Sequence, residues 1–265
     1  MTVSLIVTTY NRPDALELVL LSALRQKRPP DEIIVADDGS ESQTAEVIKK
    51  TNGQSDIPIL HAWQPDEGFR AAMARNRAIA MAKSDYIVMI DGDMLLHPYF
   101  VQDHMEAAEH NVFVQGGRVL LNEYTTRETI LTKRLDFTPF SSGIGNRKNA
   151  LHCKFLSHIF SKKSRSLRGI RTCNFALFRK DILAVNGFDN HFVGWGREDS
   201  EFAVRLLNRG LERKNLKFAS VAYHLYHPEN TRQSLPENDR RLRQSIDEKR
   251  IRCEDGIDRF LTRAD

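Results

Sequence analysis

The chain is 265 residues long, 41% hydrophobic and 28% charged, an ordinary globular composition with enough apolar side chains for a sizeable core. That composition excludes a disordered tail, a collagen-like repeat and a small disulfide scaffold. Lysine and arginine (39) exceed aspartate and glutamate (35) by only +4, so the chain does not read as one that coats nucleic acid, and the position of the charge matters more than its sum.

In chain order, Val3–Thr8 reads as a strand, and Pro13 opens a helix in which Leu16, Val19, Leu20, Ala23 and Leu24 recur at helical spacing. Glu32–Ala36 is the next strand, and Ser40 with Gln43 three residues on matches a capping box for a helix ending near Lys50. Ile57–Trp63 fits a third strand. Arg70–Lys83, rich in Ala, Met and Arg, fits a helix before a fourth strand at Asp85–Ile90. Strands separated by helices imply a parallel sheet, an α/β half with helices on both faces.

Between Arg127 and Arg171 the periodicity weakens, and eleven basic residues face only Glu128 and Asp136, a local net charge of +9. With Gly143, Gly145 and several serines this reads as a flexible basic insertion, suited to anionic lipid, a phosphorylated acceptor or a diphosphate, or else as a solvated surface loop. Thr172–Phe178 is a further strand, followed by a short helix through Val185 and the turn Asn186-Gly187-Phe188-Asp189. Glu198 and Asp199 then start a helix that stops at Gly210. Leu216–Tyr223 reads as one more strand, and the charged stretch from Pro236 as a helical tail.

No apolar run approaches the roughly 20 residues needed to cross a bilayer. The first residues lead into a β-like segment without the features of a signal peptide, so the expected location is cytoplasmic, with peripheral contact at an anionic inner membrane face left open. Cys153, Cys173 and Cys253 are widely spaced and lack a CxxC pair, which points to buried small side chains rather than disulfides or zinc.

Ligands of open parallel sheets sit beyond the carboxyl ends of the strands, where Thr8, Thr9, Tyr10, Asn11, Asp37, Asp38, Asp91 and Asp93 all fall. Turn formation explains one such polar cluster better than four. Asp91-Gly92-Asp93 follows an apolar strand directly; two carboxylates so placed can reach magnesium or manganese, which can bridge a diphosphate. Phosphate loops of the GxxxxGK[ST] type and GxGxxG fingerprints are absent, which argues against P-loop hydrolysis and NAD chemistry.

Val3–Arg12 (VSLIVTTYNR), Ala36–Ser40 (ADDGS), Arg75–Ile79 (RNRAI) and Ile90–Asp93 (IDGD) resemble the signature of family 2 glycosyltransferases of the GT-A fold. Asn174-Phe175-Ala176, Asn186–Asp189 and Gly194–Asp199 are similar to the galactosyltransferase-type C-terminal region found in bacterial chondroitin-type polymerases and in β-1,4-galactosyltransferases. The resemblance implies a Rossmann-like, mostly parallel sheet in one catalytic domain. That domain would cover residues 1–228, with a nucleotide-sugar half (1–120), a basic insertion or lid (121–171) and an acceptor half (172–228), followed by a helical extension at 229–265.

The resemblance also implies an inverting, metal-dependent transfer from a UDP-sugar to a hydroxyl of a glycan or lipid-linked acceptor, in bacterial polysaccharide or lipopolysaccharide assembly. Thr8, Thr9, Tyr10, Asn11, Arg12, Asp91 and Gly92 would line the nucleotide-sugar pocket. Asp38 would accept from the uracil imide, and Arg75 with Asn76 would approach the base and diphosphate. Asp93 would hold manganese or magnesium together with His224, His227 being the second choice. Asp199 would be the base, Glu198 would hold an acceptor hydroxyl, and Trp195 would stack on a sugar. The competing readings are a non-catalytic sugar-nucleotide module and a sugar nucleotidyltransferase; the latter is disfavoured because Thr8–Arg12 stands where a glycine-rich loop is needed.

Overall fold

The structure, a computed structural model, describes residues 1–228 and 231–261. Its first part alternates β1 (Val3–Thr9), α1 (Pro13–Leu24), β2 (Glu32–Asp37), α2 (Ser42–Asn52), β3 (Ile59–Trp63), α3 (Ala71–Met81) and β4 (Tyr86–Asp91). β1, β2 and β4 are buried along nearly their whole length, as parallel strands covered on both faces must be. Alternation sorts their side chains into two cores. Val3, Leu5 and Val7 face Leu16 and Leu20 of α1, while Ile6 joins Ile34, Met89 and Ile79 of α3 on the other face.

The chain continues through β5 (Met94–Leu96), α4 (Phe100–Ala107), β6 (Val112–Gln115), β7 (Val119–Leu121), α5 (Glu123–Thr132), β8 (Ile144–Gly145), α6 (Lys154–Phe160) and β9 (Lys162–Ser164). It then forms β10 (Asn174–Phe178), α7 (Arg179–Ala184), α8 (Glu198–Asn208), β11 (Glu212–Asn215), β12 (Ala222–His224) and α9 (Leu235–Asp247). The large sheet has the order β3-β2-β1-β4-β10-β6-β11-β9, and a small one the order β5-β12-β7-β8. The four strands from β3 to β4 are parallel. Beyond β4 the sheet is mixed, because β10 runs antiparallel to both β4 and β6, and β9 antiparallel to β11.

Three local expectations change. Ser40 and Gln43 form no capping box: α2 starts from Glu41 without a side-chain cap, and the Ser40 hydroxyl accepts the Asn11 N–H at 2.8 Å. Leu216–Tyr223 is not one strand. Phe218 and Ser220 take left-handed φ of 56° and 45°, which breaks the extended backbone and sends β11 and β12 into different sheets. The basic stretch, where periodicity weakens, holds the end of α5 and the short β8, α6 and β9 between loops, and many of its cations bind the protein's own surface. Lys133 meets Glu17 at 3.0 Å, Lys154 meets Glu106 at 2.6 Å, Lys163 meets Glu109, and Arg147 donates to the Pro139 carbonyl at 2.8 Å. The expected burial of the cysteines holds for Cys173 and Cys253, with Cys153 partly buried and all three free. Among the described residues no helix is long and apolar enough to cross a membrane.

Candidate active site

The carboxyl ends of β1, β2 and β4 form the floor of a site. Asp38 follows β2 and is buried; its carboxylate accepts the Gln64 amide at 2.7 Å and the Arg70 N–H at 2.6 Å. Burial pushes its carboxyl up to about 6, with those two hydrogen bonds pulling the other way. Beside it the half-exposed Tyr10 donates its hydroxyl to Asp66 at 2.8 Å. Asn11, at φ 46°, gives its side-chain oxygen to the Glu41 N–H at 2.8 Å and so ties the loops after β1 and β2 together.

Gly92 is required by close approach. Its N–H donates to the Thr8 carbonyl at 2.6 Å, and a Cβ there would lie 2.9 Å from that oxygen and 3.1 Å from the Thr9 side chain. The tight step turns Asp91 and Asp93 to the same edge. Asp93 Oδ2 lies 3.4 Å from His227 Nε2, 3.7 Å from His224 Nε2 and 3.8 Å from Arg12. The Leu225 N–H donates to the Asp93 carbonyl at 2.9 Å, which pins the end of β12 to this carboxylate.

Asp93, His224 and His227 each offer a ligand atom within 4.8 Å of one another, and among the described residues the buried Asp93 Oδ1 has no hydrogen-bond partner. Burial raises the Asp93 carboxyl, offset by His227, Arg12 and Arg118. Burial with the nearby Arg118 and His227 lowers His224 to about 4, which leaves a neutral imidazole. An orphaned carboxylate oxygen beside two imidazole rings fits a divalent cation such as manganese. Both histidines, rather than one of them, border the carboxylate.

Arg75 joins this floor to the opposite wall. It is buried, donates from Nε to Thr8 Oγ1 at 3.2 Å, and reaches Asp91 at 3.3 Å, Glu198 at 3.5 Å and Asp199 at 3.3 Å. Burial alone would lower its guanidinium, but Asp199, Asp91 and Glu198 more than offset that. Asn76, expected at the base and diphosphate, has its side chain bonded within the protein. It is fully buried, donates to the Phe188 carbonyl at 2.7 Å and Asn190 at 2.8 Å, and accepts the Phe188 N–H at 2.8 Å. It holds the turn behind the site.

The opposite wall is the loop before α8. Gly194, Gly196 and Arg197 have φ of 77°, 104° and 78°, a run that glycine accommodates and that stands Trp195 outward, 39% exposed. Asp199 accepts the Thr172 hydroxyl at 2.5 Å and its N–H at 3.1 Å. Glu198 is the more deeply buried of the pair, and burial with the neighbouring Asp199 raises it to about 7.

The family model described as Glycosyl transferase family 2 matches residues 4–185. The chain belongs to glycosyl transferase family 2. A second model, described as the N-terminal domain of galactosyltransferase, matches residues 154–228. This family 2 chain is 30% identical over 243 residues to chondroitin synthase of Escherichia coli, covering 83% of this chain and 34% of that protein. It is 28% identical over 237 residues to hyaluronan synthase of Pasteurella multocida, covering 83% and 24%. The chain therefore spans about a third of the first relative and about a quarter of the second. Validoxylamine A glucosyltransferase of Streptomyces hygroscopicus subsp. limoneus is 26% identical over 226 residues, 78% of this chain and 48% of that one. Among solved structures, S. aureus TarS 1-349 in complex with UDP superposes with a TM-score of 0.63 at 15% identity, over 98% of this chain and 68% of that one. That likeness shows the GT-A fold.

Within this family 2 site, four residues escaped sequence reasoning. Gln64 and Arg70 position Asp38, Thr172 binds Asp199, and Arg118 acts on Asp93. Thr172 is the first residue of the predicted strand Thr172–Phe178, and its signal was position alone; the other three carry no motif.

Proposed function

We propose that the chain transfers a hexosyl or hexosaminyl group from a UDP-sugar to a hydroxyl of a glycan or lipid-linked acceptor, with inversion, in bacterial surface-polysaccharide assembly. The observation that carries this reading is the convergence of Asp91 and Asp199 on the single buried guanidinium of Arg75. It brings a donor-binding strand end and a helix-borne base to one point. The similarity to the chondroitin and hyaluronan synthases supports the glycan class of product.

In this reading Asp38 accepts the uracil N3–H, the Tyr10 ring borders the base, and Arg12 and Arg118 face the diphosphate. Asp93, His224 and His227 hold a manganese or magnesium ion, which when bound neutralises charge on the leaving diphosphate. Trp195 offers a sugar-stacking face, and Glu198 holds a neighbouring acceptor hydroxyl. Asp199 takes the proton of the attacking hydroxyl while that oxygen bonds to the anomeric carbon and the bond from that carbon to the β-phosphate oxygen breaks. UDP leaves with the bonding electron pair, and attack from the face opposite it inverts the anomeric centre. Thr172 and Arg75 keep the Asp199 carboxylate aimed at the acceptor.

The test is a calorimetric titration with UDP, with manganese and with chelator, on the wild type and Asp93→Ala. The expected outcome is metal-dependent binding that the substitution abolishes. An absence of UDP binding in every condition would overturn the UDP-sugar donor.

A further inference from the structure

We propose that α6 and the edge strand β9 form a docking surface for an anionic lipid bilayer. α6 turns Phe155 and Ile159, four residues apart on one face, into solvent at 74% and 49% exposure, with Phe160 beside them at 52%. The Phe160 ring meets Phe218 edge-on at 5.7 Å, which fixes the C-terminal end of the patch, while Ser157 is the residue of this helix that faces inward. Three large apolar side chains on a seven-residue helix are the inverse of what a solvated surface helix presents.

The rim of this patch is cationic. Lys154 and Lys163 are matched by Glu106 and Glu109. Lys162 and Lys217 are exposed, and among the described residues their side chains meet no carboxylate. The two lie together, since the Lys217 N–H donates to Ser161 Oγ at 3.0 Å. Exposed Arg168 and Arg171 continue the charge towards Thr172, the partner of Asp199. An apolar face with a basic margin matches the boundary between acyl chains and anionic headgroups.

The strand register places this surface. Lys162 pairs with Asn215, Asn215 with Gln115, Gln115 with Phe175, and Phe175 with Met89 of β4. The start of β9 is therefore at the edge of the sheet where Asp91 sits, four strand spacings away, or about 19 Å. A bilayer against α6 lies alongside the active edge, where a lipid-linked acceptor enters. That last consequence rests on the proposed transfer; the docking surface itself does not.

Co-sedimentation with phosphatidylcholine vesicles, with and without phosphatidylglycerol, tests the proposal on the wild type, on Phe155→Ser with Ile159→Ser, and on Lys162→Gln with Lys217→Gln. The expected result is binding to the phosphatidylglycerol vesicles only. The apolar pair of substitutions should weaken it roughly tenfold or more, and each lost charge about fivefold at low salt. No binding to anionic vesicles, or binding unchanged in both variants, would overturn the proposal. So would a dimer in solution that Phe155→Ser with Ile159→Ser dissociates. Thermal melting and UDP titration of the same preparations separate a folding defect, or a failure of the donor reading, from a loss of lipid contact.

Discussion

The floor at the strand ends and the wall before α8 are held in place by different means. On the floor, Thr8 is registered against Asp91 and Thr9 against Asp37 by the parallel ladder itself, so the backbone positions the chemistry. On the wall, residues 194–197 have no ladder. Asn238 of α9 donates to the Val193 and Gly196 carbonyls at 3.3 and 2.9 Å, Arg197 meets Asp239 at 2.5 Å, and the Gly194 N–H reaches the Phe69 carbonyl at 2.8 Å. The wall is thus held by contacts remote in sequence rather than by a ladder. α9, expected as an extension, packs against α8 and is part of this wall, with Ser245 donating to the buried Glu201 at 2.9 Å.

The largest effect is expected where floor and wall meet. Arg75→Leu leaves Asp91, Glu198 and Asp199 without their common cation, and losing one partner of a buried charge group costs about 3–5 kcal/mol. Denaturant unfolding should show a loss of that order, and Asp91→Asn in the same background should restore part of it by removing one of the stranded charges. A loss below about 1 kcal/mol would mean that the two sides do not depend on this junction.

Next in size, Asp199→Asn should lower turnover by about 10²–10⁴-fold, the usual contribution of a positioned base, while UDP affinity stays unchanged because the floor is intact. Glu198→Gln should cost less turnover and act mainly on acceptor KM. If Glu198→Gln proved the more damaging to turnover, the base would be Glu198, whose raised carboxyl already stands near neutral pH.

A smaller effect isolates the wall. Asn238→Ala removes two hydrogen bonds to loop carbonyls, a change worth about 1–2 kcal/mol. Acceptor KM should rise with no change in UDP binding. A parallel loss of UDP binding would show that the wall also supports the floor.

The same contrast explains what the sequence reveals. β1, β2 and β4 are legible because burial on both faces demands continuous apolar runs, and their ends are legible because Thr, Asp and Gly follow them at once. Asp38, Asp91 and Asp93 were found that way. Asp199 became readable only through the resemblance, since a helix-start carboxylate has a sufficient local role of its own. Asn76 and its neighbour Arg75 point different ways, Arg75 to Asp91 and Asp199 and Asn76 to the Phe188 turn, because adjacent helical residues do not share a face. Strand β11 and the small sheet were missed, and the predicted strand reached β12 only at its end, because their pairing joins residues far apart in sequence and the left-handed break falls on Phe218 and Ser220 rather than on glycine. The basic stretch looked unstructured because its cations find partners such as Glu17, Glu106 and Glu109, which lie in other elements.

The smallest effect probes the floor alone. Burial raises Asp38 to about 6 from an ordinary 3.8, so between those values the folded chain binds a proton that the unfolded chain releases. This group's contribution to stability therefore falls as pH rises through that window. The uracil recognition proposed for it would run the other way, because only the ionised carboxylate is a full acceptor for N3–H. Uridine, which has no phosphates, titrated in the presence of chelator leaves the Asp93 cluster out of the measurement. Its affinity should drop by up to about tenfold from pH 7.5 to about pH 5, where roughly one Asp38 in ten stays ionised, and Asp38→Asn should flatten the profile. An equal drop in Asp38→Asn would assign the pH dependence to another group and remove Asp38 from base recognition.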